Sequence, residues 1–337
     1  MPLNNQTNTQ LRLARVPQGI PTPDDFVLSS AQIPEPQEGF FLVQNLFLSL
    51  DPYVRAVMSG RHFYNAPGSG DIMRGRAIAR VIKSRHPDHR EGDLLCLETG
   101  MQHFALSNGD DVYRPDTGDA PLSTGLGILG MPGLTAYAAL TRPGQIKSGD
   151  IVLVSAASGP VGSMVGQIAK IKGARAIGIA GSTEKCAWVC NVAGFDACIN
   201  RKTESISTAL SLLAPNGVDI FFDNTGGDIQ STVITKHIGL NSRVILSGLI
   251  TQYNLGAPPP GPNLGNICKM RGTIFGFVVY DFEDVRPEFS KAATAWYTAG
   301  RLKYKEDVVT GLDNAAAQFI RLMRGDNFGK TLVRLPD

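Results

Sequence analysis

The sequence has almost no net charge and lacks a long apolar run. It contains 32 lysines plus arginines and 30 aspartates plus glutamates, for a formal net charge of +2. This balance gives no reason to expect a nucleic acid or an anionic membrane surface as a partner. No apolar run approaches the roughly 18 to 20 residues that a membrane-spanning helix needs. We therefore expect neither a nucleic acid nor a membrane as partner.

Cysteine is scarce, and the first residues lack the pattern of a secretion signal. The five cysteines are scattered along the chain, which argues against a disulfide framework and favours a reducing compartment. Residues 1–10 are polar and do not show the basic and then apolar blocks of a signal peptide. These absences predict a cytoplasmic protein.

The signatures of zinc enzymes and of hydrolases are also missing. Zinc alcohol dehydrogenases carry a structural site of four closely spaced cysteines, a cluster that this chain does not contain. Cys186 and Cys190 are four residues apart on a predicted helix, a spacing that suits a metal, but their apolar surroundings favour packing. Neither a nucleophile elbow nor a metalloprotease motif occurs. We therefore predict no metal site and no hydrolase activity.

The first part of the chain has the pattern of a β domain. The 337 residues exceed one ordinary domain of about 150 residues, so two domains are expected. Up to about residue 120, short β-rich runs are broken by glycine and proline, with strands predicted at 39–48, 77–82 and 93–97. We assign residues 1–125 to this domain, completed by residues 300–337 with a closing strand at 330–335.

From residue 126 to 299 the sequence pattern predicts strands that alternate with helices. Residues 151–155 are a continuous apolar run, typical of a strand buried on both faces of a parallel sheet. Further strands are predicted at 174–180, 197–200, 218–223, 242–247 and 273–279. Helices are predicted at 161–172, 183–193 and 288–299. The fold class is therefore α/β, a β domain plus a doubly wound parallel sheet of the Rossmann type.

A dinucleotide fingerprint follows the first of these strands. Ala157 stands where the first glycine is usual, and Gly159 and Gly162 follow at the expected spacing. Gly159 allows the backbone to approach a pyrophosphate closely, and Gly162 allows the helix to pack tightly on the strand. The N-terminus of the helix offers unpaired N–H groups and a positive dipole end to the phosphates. The alternative is a tight turn that binds no ligand. The predicted strand before the turn and the predicted helix after it favour the dinucleotide site instead.

The end of the second strand indicates which dinucleotide is bound. An NAD site normally has an acidic residue about 20 positions after the fingerprint, but Gly181 stands there. Ser182, Lys185 and Arg201 are available to bind a 2′-phosphate instead. The alternative is a capped helix with solvated basic side chains. We favour NADPH as the cofactor.

The ordered motifs resemble one branch of the medium-chain dehydrogenase/reductase superfamily: the zinc-independent alkenal double-bond, prostaglandin and curcumin reductases. The matches run nearly end to end: LSLDPYVR at 48–55, LGMPGLTAY at 129–137, AASGPVG at 156–162, GIAGSTEKC at 178–186, FDNTGG at 222–227, GLITQYN at 248–254 and NFGK at 327–330. The resemblance implies a GroES-like β domain, a Rossmann domain and a homodimer. It also implies NADPH-dependent reduction of the carbon–carbon double bond of an enone or enal, by hydride transfer to the β-carbon.

The resemblance also implies roles for individual residues. Tyr53 matches a position that contacts the substrate. Tyr253 is our candidate donor of a hydrogen bond to the substrate oxygen, with Tyr53 second, and the alternative for either is a tyrosine packed with its hydroxyl bonded to the backbone. The implied cofactor-binding residues are Gly159, Pro160, Val161, Gly162, Ser163, Met164, Gly181, Ser182, Lys185, Arg201, Asn224, Ser247, Tyr253, Phe277, Val278 and Asn327.

Three departures from the family's pattern limit what can be transferred. Arg201 stands where many relatives have tyrosine, although an arginine can also stack on adenine or pair with a phosphate. Residues 100–104 (GMQHF) and 73–76 (MRGR) differ in the β domain, which shapes the outer substrate pocket. Two other functions therefore stay open: a quinone or carbonyl reductase on the same scaffold, and a non-catalytic NADPH-binding structural or partner-binding protein.

Overall fold

The computed structural model describes residues 7–336, and the chain forms two compact units. Unit 1 takes the chain up to Thr117, then Pro121–Leu126, and again from Glu306 onward. Unit 2 consists of Gly118–Ala120 and Gly127–Lys305. Unit 1 is therefore assembled from both ends of the described chain, and unit 2 is nearly continuous.

The strands and helices are numbered in chain order. The strands are β1 (Thr7–Leu13), β2 (Phe26–Gln32), β3 (Phe41–Ser49), β4 (Arg76–Ser84), β5 (Leu94–Glu98), β6 (Phe104–Ser107), β7 (Ile151–Ser155), β8 (Arg175–Ala180), β9 (Ala197–Asn200), β10 (Val218–Asp223), β11 (Ile238–Leu246), β12 (Thr273–Gly276), β13 (Glu306–Thr310) and β14 (Lys330–Arg334). The helices are α1 (Tyr53–Met58), α2 (Met131–Thr141), α3 (Pro160–Ile171), α4 (Thr183–Asn191), α5 (Ile206–Leu213), α6 (Gly227–Lys236), α7 (Gly265–Met270), α8 (Arg286–Thr298) and α9 (Ala315–Arg324).

Unit 1 is built on a largely antiparallel sheet. Its strands lie in the order β13-β14-β3-β4-β5, with β6 paired to β3, and β1 and β2 form a separate antiparallel pair. The predicted closing strand is present as β14, which pairs antiparallel with β3. The Lys330 ammonium on β14 is buried and contacts the Asp51 carboxylate at 2.6 Å and the Leu50 carbonyl at 3.2 Å. These contacts join the late strand to the turn after β3.

Unit 2 contains a parallel sheet in the order β12-β11-β10-β7-β8-β9. Its central strand β7 alternates between two cores, because successive side chains of a strand point to opposite faces. Val152 and Val154 pack in the core with residues of α2, α3 and α8, whereas Leu153 packs in the core with residues of α5 and α6. This double burial explains the continuous apolar run, and the predicted α/β class is confirmed.

Three predicted strands have the bounds of the structure, and two others differ from it by more than two residues at one end. The strands predicted at 151–155, 197–200 and 218–223 have those bounds in the structure. The strand predicted at 273–279 ends at Gly276, because the chain leaves the ladder after the Phe277 N–H bonds the Leu246 carbonyl and turns into a 3₁₀ helix at Val279–Val285. The strand predicted at 242–247 starts earlier, at Ile238. Within residues 7–336, no helix has both the length and the apolar character needed to cross a bilayer.

Candidate dinucleotide site

The candidate site of unit 2 lies along one edge of its parallel sheet. Because the strands are parallel, their carboxyl ends meet at the same edge, where ligands of open α/β sheets bind. The strand order reverses between β7 and β10, which is the switch point where such a crevice opens. The predicted residues of unit 2 outside the glycine-rich turn follow these strand ends: Gly181, Ser182 and Lys185 after β8, Arg201 after β9, Asn224 after β10, Ser247 and Tyr253 after β11, and Phe277 and Val278 after β12.

The glycine-rich turn has the close approach that its glycines predict. Ala156 has a left-handed φ of 53°, and a Cβ at Gly162 would lie 2.4 Å from the Ala156 carbonyl oxygen, so the position accepts only glycine without a shift of the backbone. Gly159 is the N-cap of α3 and provides no side-chain cap. The first turn of α3 therefore keeps its N–H groups for an anion.

Two side chains in the first turn of α3 are too buried to contact a cofactor. Ser163 is 2% exposed and Met164 is fully buried in the core. Pro160, at the first helical position, has no N–H, and Val161 and Gly162 follow it. For Ser163 and Met164, contact with a cofactor would involve the backbone rather than the side chain.

At the end of β8, the uncharged Gly181 lies next to the guanidinium of Arg201. A Cβ at Gly181 would lie 3.6 Å from Nε and from an Nη atom of Arg201, a normal contact distance, so the glycine faces the arginine side chain. Ser182 caps α4, its hydroxyl accepting the N–H of Lys185 at 3.2 Å. The predicted 2′-phosphate residues thus follow the ends of β8 and β9, and Glu184 in the first turn of α4 is exposed.

A buried carboxylate, which the sequence pattern did not single out, organises the end of β10. Asp223 is fully buried and accepts hydrogen bonds from the Ser155 hydroxyl (2.8 Å), the Thr225 N–H (2.9 Å) and hydroxyl (3.0 Å), the Gly226 N–H (3.1 Å) and the Gln230 amide (3.0 Å). Its position as the last residue of an apolar strand is the signal that could have identified it, since a buried carboxylate must be satisfied by donors.

Asn224 is held by hydrogen bonds to Ser155, the same residue that donates to Asp223. Its N–H donates to the Ser155 hydroxyl and its side-chain amide donates to the Ser155 carbonyl, both at 2.8 Å. The N–H of Ser247 donates to the Asp223 carbonyl at 2.9 Å. The ends of β7, β10 and β11 are therefore joined by hydrogen bonds.

Tyr253 lies in the loop after β11 with its hydroxyl bonded to the backbone. The Leu249 N–H donates to the Tyr253 oxygen at 3.1 Å. Burial raises the pKa of Tyr253, against the smaller opposing effect of that backbone bond. The phenol is therefore protonated at neutral pH, and since its oxygen already accepts a hydrogen bond, its proton can be donated to another group.

After β12, the two predicted nicotinamide neighbours have different environments. Phe277 is 5% exposed and stacks on Phe282, with ring centroids 4.9 Å apart and an interplanar angle of 14°. Val278 is 38% exposed. Phe277 is therefore mainly a core residue, and Val278 is the more accessible of the two.

The two predicted residues of unit 1 lie in separate segments of that unit. Tyr53 is the first residue of α1, with its ring 5.4 Å from that of His62. Asn327 follows α9, and its side-chain amide donates to the Gly329 carbonyl at 3.0 Å. Asn327 thus fixes the turn that leads into β14.

Cys186 and Cys190, for which the sequence favours packing over metal binding, are both partly buried. Cys186 on α4 lies 3.0 Å (Sγ to Sγ) from Cys198 on β9. Burial raises the pKa of all three thiols, which keeps them protonated. Across the described chain, no three His, Cys, Asp or Glu side chains are placed to hold a metal ion together.

Comparison with known proteins places the chain in a family. The family model described as the N-terminal domain of oxidoreductase matches residues 9–114, and that described as zinc-binding dehydrogenase matches residues 160–296. The chain is 38% identical to the NADPH-dependent curcumin reductase of Escherichia coli K12, over 98% of this chain and 97% of the relative. It is 39% identical to the bovine (Bos taurus) prostaglandin reductase 1, over 94% of this chain and 95% of the relative.

A solved structure agrees with these relatives. The crystal structure of CurA from Vibrio vulnificus in complex with NADPH is 38% identical in sequence and has a TM-score of 0.91, covering 98% of this chain and 99% of that chain. The predicted resemblance is confirmed in both sequence and fold. The chain belongs to the medium-chain dehydrogenase/reductase superfamily, in the branch of curcumin, prostaglandin and alkenal reductases.

Proposed function

We propose that this protein uses NADPH to reduce the carbon–carbon double bond of an α,β-unsaturated ketone or aldehyde, with hydride delivered to the β-carbon. The observation that carries the proposal is the end of β8, where Gly181 faces the Arg201 guanidinium and no carboxylate takes the ribose position. This arrangement suits a 2′-phosphate, and it occurs in a chain of a branch whose relatives are named as NADPH-dependent reductases. NADPH is therefore the cofactor.

The residues of the sheet edge fit this dinucleotide. The uncapped first turn of α3 would bind the pyrophosphate through backbone N–H groups, and Gly162 allows the close turn that this requires. Lys185 and Arg201 would pair with the 2′-phosphate, and the Ser182 hydroxyl can donate to it. The remaining contacts that we propose are Asn224, Ser247, Phe277, Val278 and Asn327.

For this reaction the protein has to orient the substrate against the cofactor and provide a hydrogen-bond donor. When bound, NADPH would supply a hydride to the β-carbon, and negative charge would develop on the carbonyl oxygen of the substrate until a proton from solvent is added to the α-carbon. We propose Tyr253 as the donor to that oxygen, since its protonated hydroxyl already accepts the Leu249 N–H. A donor that is fixed before the reaction stabilises the developing charge without reorganisation. Tyr53 is proposed to contact the substrate.

The test is a panel of activated alkenes, quinones and ketones with NADPH and product identification. We expect NADPH consumption with enals and enones, and a saturated carbonyl compound as the product. Turnover of quinones alone, or an alcohol as the product, would instead indicate the quinone or carbonyl reductase. Tight NADPH binding with no turnover of any substrate would indicate a non-catalytic protein.

A matched pair of tyrosine variants tests the donor within the same panel. Tyr253→Phe should lower kcat for the best enone by roughly tenfold to a hundredfold, since the loss of one donor to a developing oxyanion can cost up to about 4 kcal/mol. The Kd for NADPH should stay nearly unchanged. Tyr297→Phe on α8 removes the same hydroxyl away from the strand ends and should behave as wild type. Equal kcat in the two variants would rule out Tyr253 as the donor.

We also propose that two copies pair through the edge strand β12. This strand ends the parallel sheet, and Phe275 on it is 39% exposed, which leaves an apolar edge available for a second strand. Sedimentation equilibrium should give the mass of two chains, and Phe275→Lys should shift the protein to one chain. Leu212→Lys on α5, at an apolar position that is 80% exposed, should remain dimeric. A wild-type protein that is monomeric at every concentration would contradict this proposal.

A further inference from the structure

Asn200, the last residue of β9, connects the two segments of unit 2 that carry Lys185 and Arg201. It is buried, with 5% of its surface exposed. Its Oδ1 accepts the N–H of Lys202 at 3.1 Å, and its side-chain amide donates to the Thr183 hydroxyl at 3.3 Å. Lys202 follows Arg201 in the chain, and Thr183 is the first residue of α4, the helix of Lys185. We call this pair of hydrogen bonds the Asn200 bridge.

The direction of both hydrogen bonds follows from the groups that form them. A backbone N–H can only donate, so the Asn200 atom that faces the Lys202 N–H is the amide oxygen. The other atom is then the NH₂ group, and the Thr183 oxygen accepts a hydrogen bond from it. Both ends of this buried amide therefore have partners, one on each segment, which is the condition under which a buried polar group makes a structure more specific.

The backbone on both sides of the bridge is also held by hydrogen bonds. The N–H of Arg201 donates to the Ala180 carbonyl at 3.0 Å, at the end of β8. The N–H of Asn200 donates to Oε1 of Glu204 at 2.8 Å, and the N–H of Glu204 donates to the Asn200 carbonyl at 2.9 Å. On the other side, Ser182 caps the first turn of α4. Each segment is thus ordered by itself, and the bridge fixes one against the other.

Two cations on different segments bind one phosphate well only when the distance between them is set in advance. Lysine and arginine side chains lose much rotamer freedom when they are immobilised, and ordering two mobile segments at the same time would weaken binding further. A bridge that is already formed in the free protein removes this second contribution. NADH has no 2′-phosphate, so its affinity should not depend on the distance between the two cations.

We propose that Asn200 is a positioning residue that holds Lys185 and Arg201 at the spacing of one 2′-phosphate and thereby increases the preference of the protein for NADPH over NADH. This inference rests on the phosphate contacts of the proposed function, and it adds a determinant of specificity that lies outside them. Asn200 acts through the two cations and does not itself contact the phosphate.

Two variants remove the bridge from its two ends, and their Kd values for NADPH and NADH are measured directly. Asn200→Ala should raise the Kd for NADPH by roughly threefold to tenfold, the range expected for the loss of one or two ordinary hydrogen bonds. Thr183→Val should raise it by roughly twofold to threefold, since only the bond to α4 is lost. Thr183 is exposed, so its variant tests the bridge even if Asn200→Ala does not fold. The Kd for NADH should stay unchanged in both.

A matched control uses the same substitution in the first turn of another helix. Thr208 lies on α5, and its hydroxyl bonds the Ser205 hydroxyl at 3.0 Å. Thr208→Val should leave the Kd values for both dinucleotides unchanged. A merely structural role of Asn200 would predict a different result, because a loosened sheet edge weakens NADPH and NADH alike.

A double-mutant cycle of Asn200→Ala and Arg201→Ala separates positioning from an independent contact. The double variant should bind NADPH about as well as Arg201→Ala alone, since no spacing has to be held once one cation is absent. Additive effects in the cycle, an equal loss of affinity for NADPH and NADH in Asn200→Ala, or an unchanged preference in Thr183→Val would overturn the role of the bridge. If Lys185→Ala and Arg201→Ala both kept the full preference for NADPH, the proposed phosphate contacts would fail, and the inference with them.

Discussion

Replacing Lys185 by alanine should raise the KM for NADPH by roughly 10-fold to 150-fold and leave the KM for NADH nearly unchanged. Hydrogen bonds to charged groups contribute about 1.5 to 3 kcal/mol, and each 1.4 kcal/mol corresponds to a factor of about ten in affinity. Lys185 lies in the first turn of α4, one turn from the Ser182 cap. Arg201→Ala should act in the same direction, because its guanidinium faces Gly181.

The measurement is the KM and the directly measured Kd of both dinucleotides for each variant. Lys172→Ala is the matched control, because Lys172 is an exposed lysine at the C-terminal end of α3, the end opposite to the glycine-rich turn. It should leave the preference for NADPH unchanged. The preference of the wild type should also fall as salt is added, since partly exposed charges are screened. Unchanged discrimination in both Lys185→Ala and Arg201→Ala would refute the phosphate assignment.

Asp223→Asn should destabilise unit 2 by about 3 kcal/mol, since hydrogen bonds to a charged group contribute about 1.5 to 3 kcal/mol. The substitution removes the negative charge and turns an amide N–H₂ toward groups that are themselves donors, among them the Gly226 N–H and the Gln230 amide. The loops after β7 and β10 should loosen at the same time, so the affinity for NADPH should also decrease.

Urea unfolding, followed by tryptophan fluorescence, measures the loss of stability in unit 2. The chain has two tryptophans, Trp188 and Trp296, and both lie in unit 2. Asp219→Asn is the control on the same strand: Asp219 accepts one bond, from the Ile151 N–H at 2.8 Å, and an asparagine oxygen can still accept it. Its cost should be below about 1 kcal/mol. Equal stability of the two variants would show that the Asp223 interactions do not stabilise the edge.

The strands of unit 2 could be predicted from sequence because burial leaves a local pattern. A strand covered on both faces needs apolar side chains at every position, and this is why 151–155 and 218–223 are recognisable. The edge strand β13 (Glu306–Thr310) lacks that signal, since it is polar and Val308 on it is 44% exposed. Its place in the sheet depends on pairing with β14, a tertiary contact that local sequence does not encode.

The sequence predicts the site residues that are set by local spacing, but not those whose partners are distant in the chain. The glycine-rich turn and Gly181 could be identified because their spacing from the strands is fixed by the geometry of a strand, a turn and a helix. Asp223 could not, because its partners are brought together by folding: it accepts the hydroxyl of Ser155, which lies 68 positions away in the chain. Sequence spacing predicts where a backbone turns but not which side chains meet.

The pairing of β14 with β3 has a consequence for the order of events on the ribosome. The segments of unit 2 between Gly127 and Lys305 are synthesised before β14, so that unit can begin to fold while the chain is still growing. The sheet of unit 1 can be completed only after Lys330–Arg334 has been made, although β3 was made nearly 300 residues earlier. Until then the edge of β3 and the Asp51 carboxylate lack their later partners, and the nascent chain exposes them to chaperones and to misassembly.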